Sequence, residues 1–414
     1  MPLLALFLGV FCLGTAEFLA TGILPLMAVD LGVSVPTAGA VVTFYALGVA
    51  IGGPILGVVL GALPRKTMLL GLLLAFAAAQ LGTALAPNLE WLLAARVLGA
   101  ACQGAFFGLA SLAAIGVAGE GRSGFALSLM VAGVTVANVL GLPGGTALGH
   151  VLGWRMSFAI LAGIAVAATA LIAIFVPATP ADGAAKAPLR VQARALLRRE
   201  VVLSYAVMTL ASVGFFAVFT FITPLLTTVT GLGSDQVAIL LVGFGVGSTA
   251  GALAGGKLAD WRPLTSVSLI LVIEMAIFAT IVVAPHLPVA MAIAVMALGF
   301  CAFAYAPGLF VQLFGAAGKG RDLASTLIST AFNLGIAVGS SLGGLLLTTG
   351  AGLPQLGIIG LVSGAIALAL TLAMALTKTM VSTLASMTLE ESPVTEIGRG
   401  RALLPHRGDV PEAA

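Results

Sequence analysis

Glu17, Arg96 and Glu274 stand well inside stretches that are otherwise almost wholly apolar. A charge at the centre of a membrane span costs roughly 2.5–3.5 kcal/mol even on lenient insertion scales. A chain that places so few there keeps them for a task, and a carboxyl opposite a guanidinium can hold and release a proton. At 1.5 Å of rise per helical residue, Glu17 lies about 21 Å from the N-terminal end of its stretch. Arg96 lies about 10 Å from the far end of its own, hence roughly 20 Å from the same face of a ~30 Å hydrocarbon core. The two share a depth. Gln103 follows on the helical face of Arg96, and Asn138 reaches a similar level. Two readings stay open: an ion pair that fixes helix register, or a proton-coupling pair.

The elements that must carry these residues are membrane helices. Of 414 residues, 60% are hydrophobic and only 8% charged, with mean hydropathy +1.19, where a soluble domain has about 25% charged. Twelve spans are predicted near 3–28, 36–60, 67–86, 89–117, 125–150, 157–176, 201–229, 236–256, 264–284, 289–315, 323–349 and 354–376. Unbroken apolar runs such as Leu69 to Ala79 lack the alternation of a transmembrane β-barrel. Of the 18 Lys and Arg, all but Arg96 and Arg155 fall on one side of this topology. The positive-inside rule makes that side cytoplasmic, with both termini there. The first span lacks the features of a cleaved signal and is expected to be retained. The net charge of +3 reflects this bias and calls for no nucleic acid. Cys12, Cys102 and Cys301 lie within spans, without metal-type pairing, as packing residues. Trp91, Trp154 and Trp261 fall at predicted membrane edges, where interfacial anchors sit. His150 and His286, near the outer ends of the fifth and ninth spans, read as interfacial.

The chain divides into an N-terminal bundle (1–176), a hydrophilic central loop (177–200), a C-terminal bundle (201–377) and a tail (378–414) expected to be disordered. In the loop, Arg190, Arg194 and Arg198 recur beside Leu189, Leu196 and Leu197, either as a basic amphipathic helix on the inner leaflet or as a solvated loop. The halves repeat: a shift of 199 residues places Thr21 on Thr220, Pro25 on Pro224, Gly32 on Gly231, Gly48 on Gly247, Gly57 on Gly256 and Cys102 on Cys301. Internal duplication is an architecture of secondary transporters, with substrate sites near the midplane between repeats. Glycines recur at every fourth position from Gly243 to Gly255, from Gly141 to Gly149 and from Gly335 to Gly343. Such stripes either pack helices statically or let them slide.

Four stretches resemble the major facilitator superfamily, in particular its twelve-span drug:proton antiporters of the arabinose-efflux and chloramphenicol-resistance type. They are Gly14-Thr15-Ala16-Glu17-Phe18 with Leu24-Pro25, Arg96-Val97-Leu98-Gly99 with Gly104 to Gly108, Thr135 to Thr146 with Gly153-Trp154-Arg155, and Gly57 to Lys66 echoed by Gly256-Lys257-Leu258-Ala259-Asp260. The resemblance implies an all-α fold of twelve transmembrane helices in two pseudo-symmetric six-helix bundles. It implies a cytoplasmic gate at Gly57, Arg65, Gly256 and Asp260. In the loop after the second span the family's Asp and Arg are replaced by Gly61 and Ala62, so the carboxylate survives only as Asp260. The glycine–proline motif Gly141, Pro143 and Gly145 resembles the antiporter signature, and a proline inside a helix bends it.

On this resemblance Glu17 and Arg96 couple protons, with Gln103, Asn138, Thr21, Phe216 and Phe303 lining the cavity. Arginine stays protonated, so Glu17 is the titrating partner. Glu274 lies in the ninth span, peripheral in this fold. It reads as a neutral carboxyl packed between helices, as an independent proton or substrate site, or as a lipid or oligomer contact. The second half has Phe216 and Val295 where the first has Glu17 and Arg96, and its aromatic residues suit a lipophilic substrate. The expectation is a monomeric, proton-coupled efflux antiporter for small amphipathic compounds or drugs, multi-pass in the plasma (inner) membrane among its lipids. No resident cofactor or metal is expected, and no nucleotide-binding Gly-rich loop is present. A sugar or nucleoside exporter is the alternative within transport; a membrane receptor or enzyme on the same bundle is the alternative outside it.

Overall fold

The computed structural model describes residues 1–60, 63–118, 123–177, 194–318 and 321–390. Twelve described helices are long and apolar enough to cross a membrane. They are α1 (Pro2–Gly22), α2 (Val35–Leu56), α3 (Arg65–Ala84), α4 (Leu89–Ala118), α5 (Leu129–Leu152), α6 (Trp154–Phe175), α7 (Arg199–Phe219), α8 (Ser234–Ala259), α9 (Pro263–Val283), α10 (Pro288–Ala317), α11 (Leu327–Thr348) and α12 (Leu353–Lys378). No strand occurs among the described residues. The helix of α12 runs on through Glu390. The expected tail is therefore helical in its first part: Thr379 to Glu390 holds no Gly or Pro to stop it. Of the basic central-loop pattern, only Arg194, Leu196, Leu197 and Arg198 fall within the described residues.

The duplication is visible in the backbone. Gly32 and Gly231 both adopt positive φ, 64° and 79°, in the turns after α1 and α7; only glycine enters that region without strain. Both first helices break before a proline, at Ile23 (φ −112°, ψ 11°) ahead of Pro25 and at Phe221 (φ −110°, ψ 20°) ahead of Pro224. Packing repeats as well. α2 lies on α4 as α8 lies on α10, α3 on α6 as α9 on α12, and α1 on α5 and α6 as α7 on α11 and α12.

Each glycine stripe packs within its own half. A Cβ added at Gly251 would stand 2.1 Å from the carbonyl oxygen of Phe300 in α10, and one at Gly247 would stand 2.2 Å from that of Met296. The α5 stripe seats Thr15, Leu19 and Ile23 of α1, and the α11 stripe seats α7. Of the two readings of these stripes, the contacts match fixed intra-bundle packing, the close approach that small residues allow.

The halves meet at the end of the bundle away from the basic loops. One hydrophobic core there contains Phe18, Leu19 and Ile23 together with Phe215, Phe219 and Leu225. Toward the basic end the cores separate into one built of first-half residues and one of second-half residues. Threonines of the second half stitch the two halves together. Pro25 has no N–H to offer the carbonyl of Thr21, and that oxygen accepts the Thr223 hydroxyl at 2.9 Å. Pro54 likewise frees Ala50, whose carbonyl accepts the Thr330 hydroxyl at 3.2 Å. Thr43 joins Ser340 at 2.7 Å.

At the rim away from the basic loops Asp30 accepts hydrogen bonds from Arg155 and from the Trp154 indole, while Arg155 also donates to Ala86. Trp154 is thus buried under this clasp, a correction to its reading as a lipid anchor. A ring at the start of α6 with two polar partners overhead is better placed inside the bundle than at the headgroups. Trp91 and Trp261 are exposed.

Gly251→Ala should lower the melting temperature of the purified protein strongly, because overpacking against backbone costs about 1–3 kcal/mol. Gly256→Ala, in the same helix but with nothing within 4 Å of its added Cβ, should leave it unchanged. Equal melts for the two variants would contradict this packing.

The Arg155 guanidinium beside Asp30 holds its carboxyl below the usual carboxylate range. A depressed carboxyl stabilises the fold at pH above its unfolded value, about 4, and loses that contribution as pH falls through the folded value. Thermal melts of wild type and Asp30→Asn should therefore differ by a constant amount at neutral pH and converge below about pH 4.

Candidate functional site

Glu17 lies in the last third of α1 and is half-buried. Gln103 of α4 donates its amide to the Glu17 carboxylate at 2.7 Å. The other end of that amide accepts the hydroxyl of Tyr45, from α2. Tyr45 in turn lies under the Arg96 guanidinium, whose carbon is 3.8 Å from the ring centroid. Phe158 of α6 supplies a second ring face at 5.6 Å. Arg96, 0% exposed, also donates to the carbonyl of Ala16 at 2.9 Å. Glu17 and Arg96 are thus brought to one place but do not form an ion pair. Among the described residues the ion pair present joins Arg155 to Asp30.

This arrangement has a local logic. Arg96 and Gln103 are two turns apart on one face of α4, so one helix presents both a cation and an amide to α1. A buried guanidinium needs acceptors, and the carbonyl of Ala16 and two aromatic faces are what the packed interior offers. Nε and the second terminal nitrogen of Arg96 have no partner within the protein. The bond to Ala16 ties Arg96 to the backbone unit next to Glu17, so movement of either is felt by the other.

Asn138 is fully buried in a π-helical turn, Ala137–Gly141, just before Pro143. Both ends of its side-chain amide lack a protein partner. A widened turn ahead of Pro143 is how α5 accommodates the missing N–H. Gly245 of α8 sits against the backbone of Asn138, where an added Cβ would lie 2.5 Å from its carbonyl oxygen. Gly141 fits under Thr15 of α1 and Gly145 under Leu19.

Thr21 and Phe216 are buried beside the core that the two halves share. The Thr21 hydroxyl bonds the carbonyl of Phe18 at 2.7 Å. Phe18 stacks on Phe216 with centroids 6.1 Å apart, and Phe216 contacts Phe215, Phe219 and Phe332. Phe303 is half-buried against the shared core in α10. Glu274 is buried on the inner face of α9, separate from the Glu17 group. Of the expected gate, Gly57 and Asp260 fall in helices but their surroundings lie outside the described residues; Gly256 is in α8 and Arg65 begins α3.

Tyr45 is the functional candidate that sequence reasoning passed over. The signal was there: it is one of three tyrosines, placed within an apolar span about 15 Å from the end where Arg96's helix begins. Phe158 and the Ala16 carbonyl carried no such signal.

Residues 6–320 match the family model described as Major Facilitator Superfamily. The chain is 34% identical over 370 residues to the inner membrane transport protein YdhP of Escherichia coli (strain K12), covering 89% of this chain and 94% of that protein. It is 34% identical over 341 residues to a chloramphenicol resistance protein of Streptomyces lividans, covering 82% and 87%. Its fold is similar to that of a bacterial homologue of the human lysosomal transporter Spinster, solved in an inward-facing and unoccupied conformation, with TM-score 0.67, 18% identity, and 90% and 94% of the two chains covered. Twelve apolar helices arranged as a repeated six, together with these likenesses, establish a multi-pass membrane transporter that belongs to the Major Facilitator Superfamily.

Proposed function

We propose that this chain is a proton-coupled antiporter that exports small amphipathic compounds by alternating access, as a monomer in the plasma membrane with both termini in the cytoplasm. The observation that carries the reading is the chain of contacts from Glu17 through Gln103 and Tyr45 to Arg96. It joins a group that can gain and lose a proton to a cation that cannot. Orientation follows from the basic loops, which the positive-inside rule puts in the cytoplasm.

Coupling works through charge. With Glu17 ionised, the Arg96 guanidinium is balanced at mid-depth, and the carboxylate can attract a cation or dipole entering between the halves. With Glu17 protonated, that balance is lost, and the carboxyl no longer competes for a bound compound. Because Arg96 holds the carbonyl of Ala16, the change in balance acts on α1, the helix that carries Phe18 and Thr21 into the seal. A substrate and a proton then use the site in alternation. Phe216 and its neighbouring rings offer apolar contact where the halves meet, which favours lipophilic compounds over polyols.

Chloramphenicol is the first compound to test, because a relative sharing a third of its residues is named for resistance to it. In everted vesicles, Glu17→Gln should abolish proton-driven accumulation while retaining exchange of labelled compound across the membrane. A Glu17→Gln transporter that still builds a full proton-driven gradient sinks the assignment.

Tyr45 should divide into two separable contributions. Tyr45→Phe removes one hydrogen bond, about 1 kcal/mol or roughly fivefold in transport rate, and leaves the ring under Arg96. Tyr45→Leu removes the cation–π contact as well, which when desolvated is worth about 2 kcal/mol. Transport assays on the two variants should therefore rank Phe well above Leu; indistinguishable rates would remove Tyr45 from the network.

A further inference from the structure

The second half holds a polar group of its own, and nothing in the Glu17 network uses it. Glu274 is 1% exposed, and one of its carboxyl oxygens has no partner within the protein. It lies on the buried face of α9 with Leu271, Ile277 and Phe278, a face packed against α10 and α12. Tyr305 and Cys301 are buried on α10, which packs on α9. The Tyr305 hydroxyl is 3.4 Å from that of Ser212 in α7. Glu274, Tyr305 and Ser212 all fall about 16–20 Å along their helices from the basic end, the middle of a ~30 Å core.

The hydrogen-bond ladder of α10 has a gap at this level: Tyr305 keeps helical angles (φ −78°, ψ −27°) and is the joint between Pro288–Ala304 and Ala306–Ala317. Pro307 cannot donate to the carbonyl of Phe303, so the turn around the joint is weakened. A buried carboxyl therefore stands level with a weakened turn of the helix packed beside it. The first half has Ala75, Phe106 and Leu13 at the positions equivalent to Glu274, Tyr305 and Ser212, so the duplication did not supply this cluster.

Among the described residues no cation balances Glu274. The helices packed on α9 carry Cys301 and Tyr305 in α10, Lys378 at the basic end of α12, and Asp235 and Lys257 near the two ends of α8. Lys378 is engaged with Gln312 at 3.4 Å. An ionised carboxylate left unpaired at this depth costs several kcal/mol, so the carboxyl holds a proton in the described state. Keeping an acid there rather than a hydrocarbon costs polar burial with no packing gain.

We propose that Glu274 is a second proton-binding site of the transporter, in the C-terminal half and distinct from Glu17, served by the joint in α10 at Tyr305. Pivoting of α10 at the joint admits water to the carboxyl. The O–H bond breaks, the proton passes to water, and the negative charge left behind accepts the Tyr305 hydroxyl. The inference rests on the transporter reading but needs neither the substrate nor the Glu17 assignment to be right.

The test is infrared difference spectroscopy of the full-length protein in lipid, comparing neutral with alkaline pH and following the C=O band of protonated carboxyls. In wild type the band should be present at neutral pH and lost on alkalinisation. It should persist in Glu17→Gln and be absent in Glu274→Gln, an isosteric change that mimics the protonated acid. Tyr305→Phe should move the loss of the band upward by about one pH unit, since the carboxylate loses a donor. A band unchanged in Glu274→Gln, or one that survives at every pH the folded protein tolerates, overturns the proposal, the latter result leaving only a static neutral carboxyl. A Tyr305→Phe profile that coincides with wild type overturns the part assigned to the joint. Because no transported compound enters the measurement, failure here and failure of the export reading are distinguishable.

Discussion

A guanidinium buried at the middle of a membrane protein constrains everything packed around it. Arg96 cannot shed its proton, and among the described residues it has no carboxylate within ion-pair distance. It is held instead by one backbone carbonyl and two aromatic faces. Removing such a group from water is expensive, and the loss is offset only by partners in good geometry. Tyr45 and Phe158 therefore have to be where they are, and α2 and α6 with them. The carbonyl of Ala16 has to face α4. Glu17 sits one residue further along, bonded to the amide that the same tyrosine holds. The candidate site is in this sense the consequence of housing one cation.

The duplication sharpens the point. The second half has Phe216, Phe244 and Val295 at the positions of Glu17, Tyr45 and Arg96. Those phenylalanines join a ring cluster in which Phe219 stacks on Phe244 with centroids 4.5 Å apart. One scaffold thus carries a polar network in one half and an apolar plug in the other. The repeated helix packing, α2 on α4 and α8 on α10, tolerates both because it rests on small residues approaching backbone rather than on the side chains that differ between the halves.

The seal between the halves is built from weak parts. Hydroxyls of Thr223 and Thr330 reach carbonyls that Pro25 and Pro54 leave free, Thr43 meets Ser340, and Phe18 stacks on Phe216. Each neutral hydrogen bond contributes about 1 kcal/mol net, and hydroxyls exchange readily with water. Such a seal can be undone without separating an ion pair. That matters for a transporter, because whatever drives the exchange between its states has to outweigh the contacts it opens.

Much was legible in the sequence. Twelve spans followed from hydropathy, the repeat from Pro25 and Pro224 with Gly32 and Gly231, and the shared depth of Glu17 and Arg96 from counting residues along helices. Those features are set by local chemistry: a span needs apolar length, and a left-handed turn needs glycine. The tertiary structure decided how the charges are satisfied. Depth fixes where along the membrane a residue sits, whereas azimuth around the helix axis decides what it touches, and azimuth depends on every neighbour's packing. So the expected Glu17–Arg96 pair became a relay through Gln103 and Tyr45, Trp154 turned inward beneath Asp30, and Phe216 entered the seal. The Ala16 carbonyl could not be read from any side chain, because every residue has one. Only the fold determines which carbonyl a buried arginine reaches.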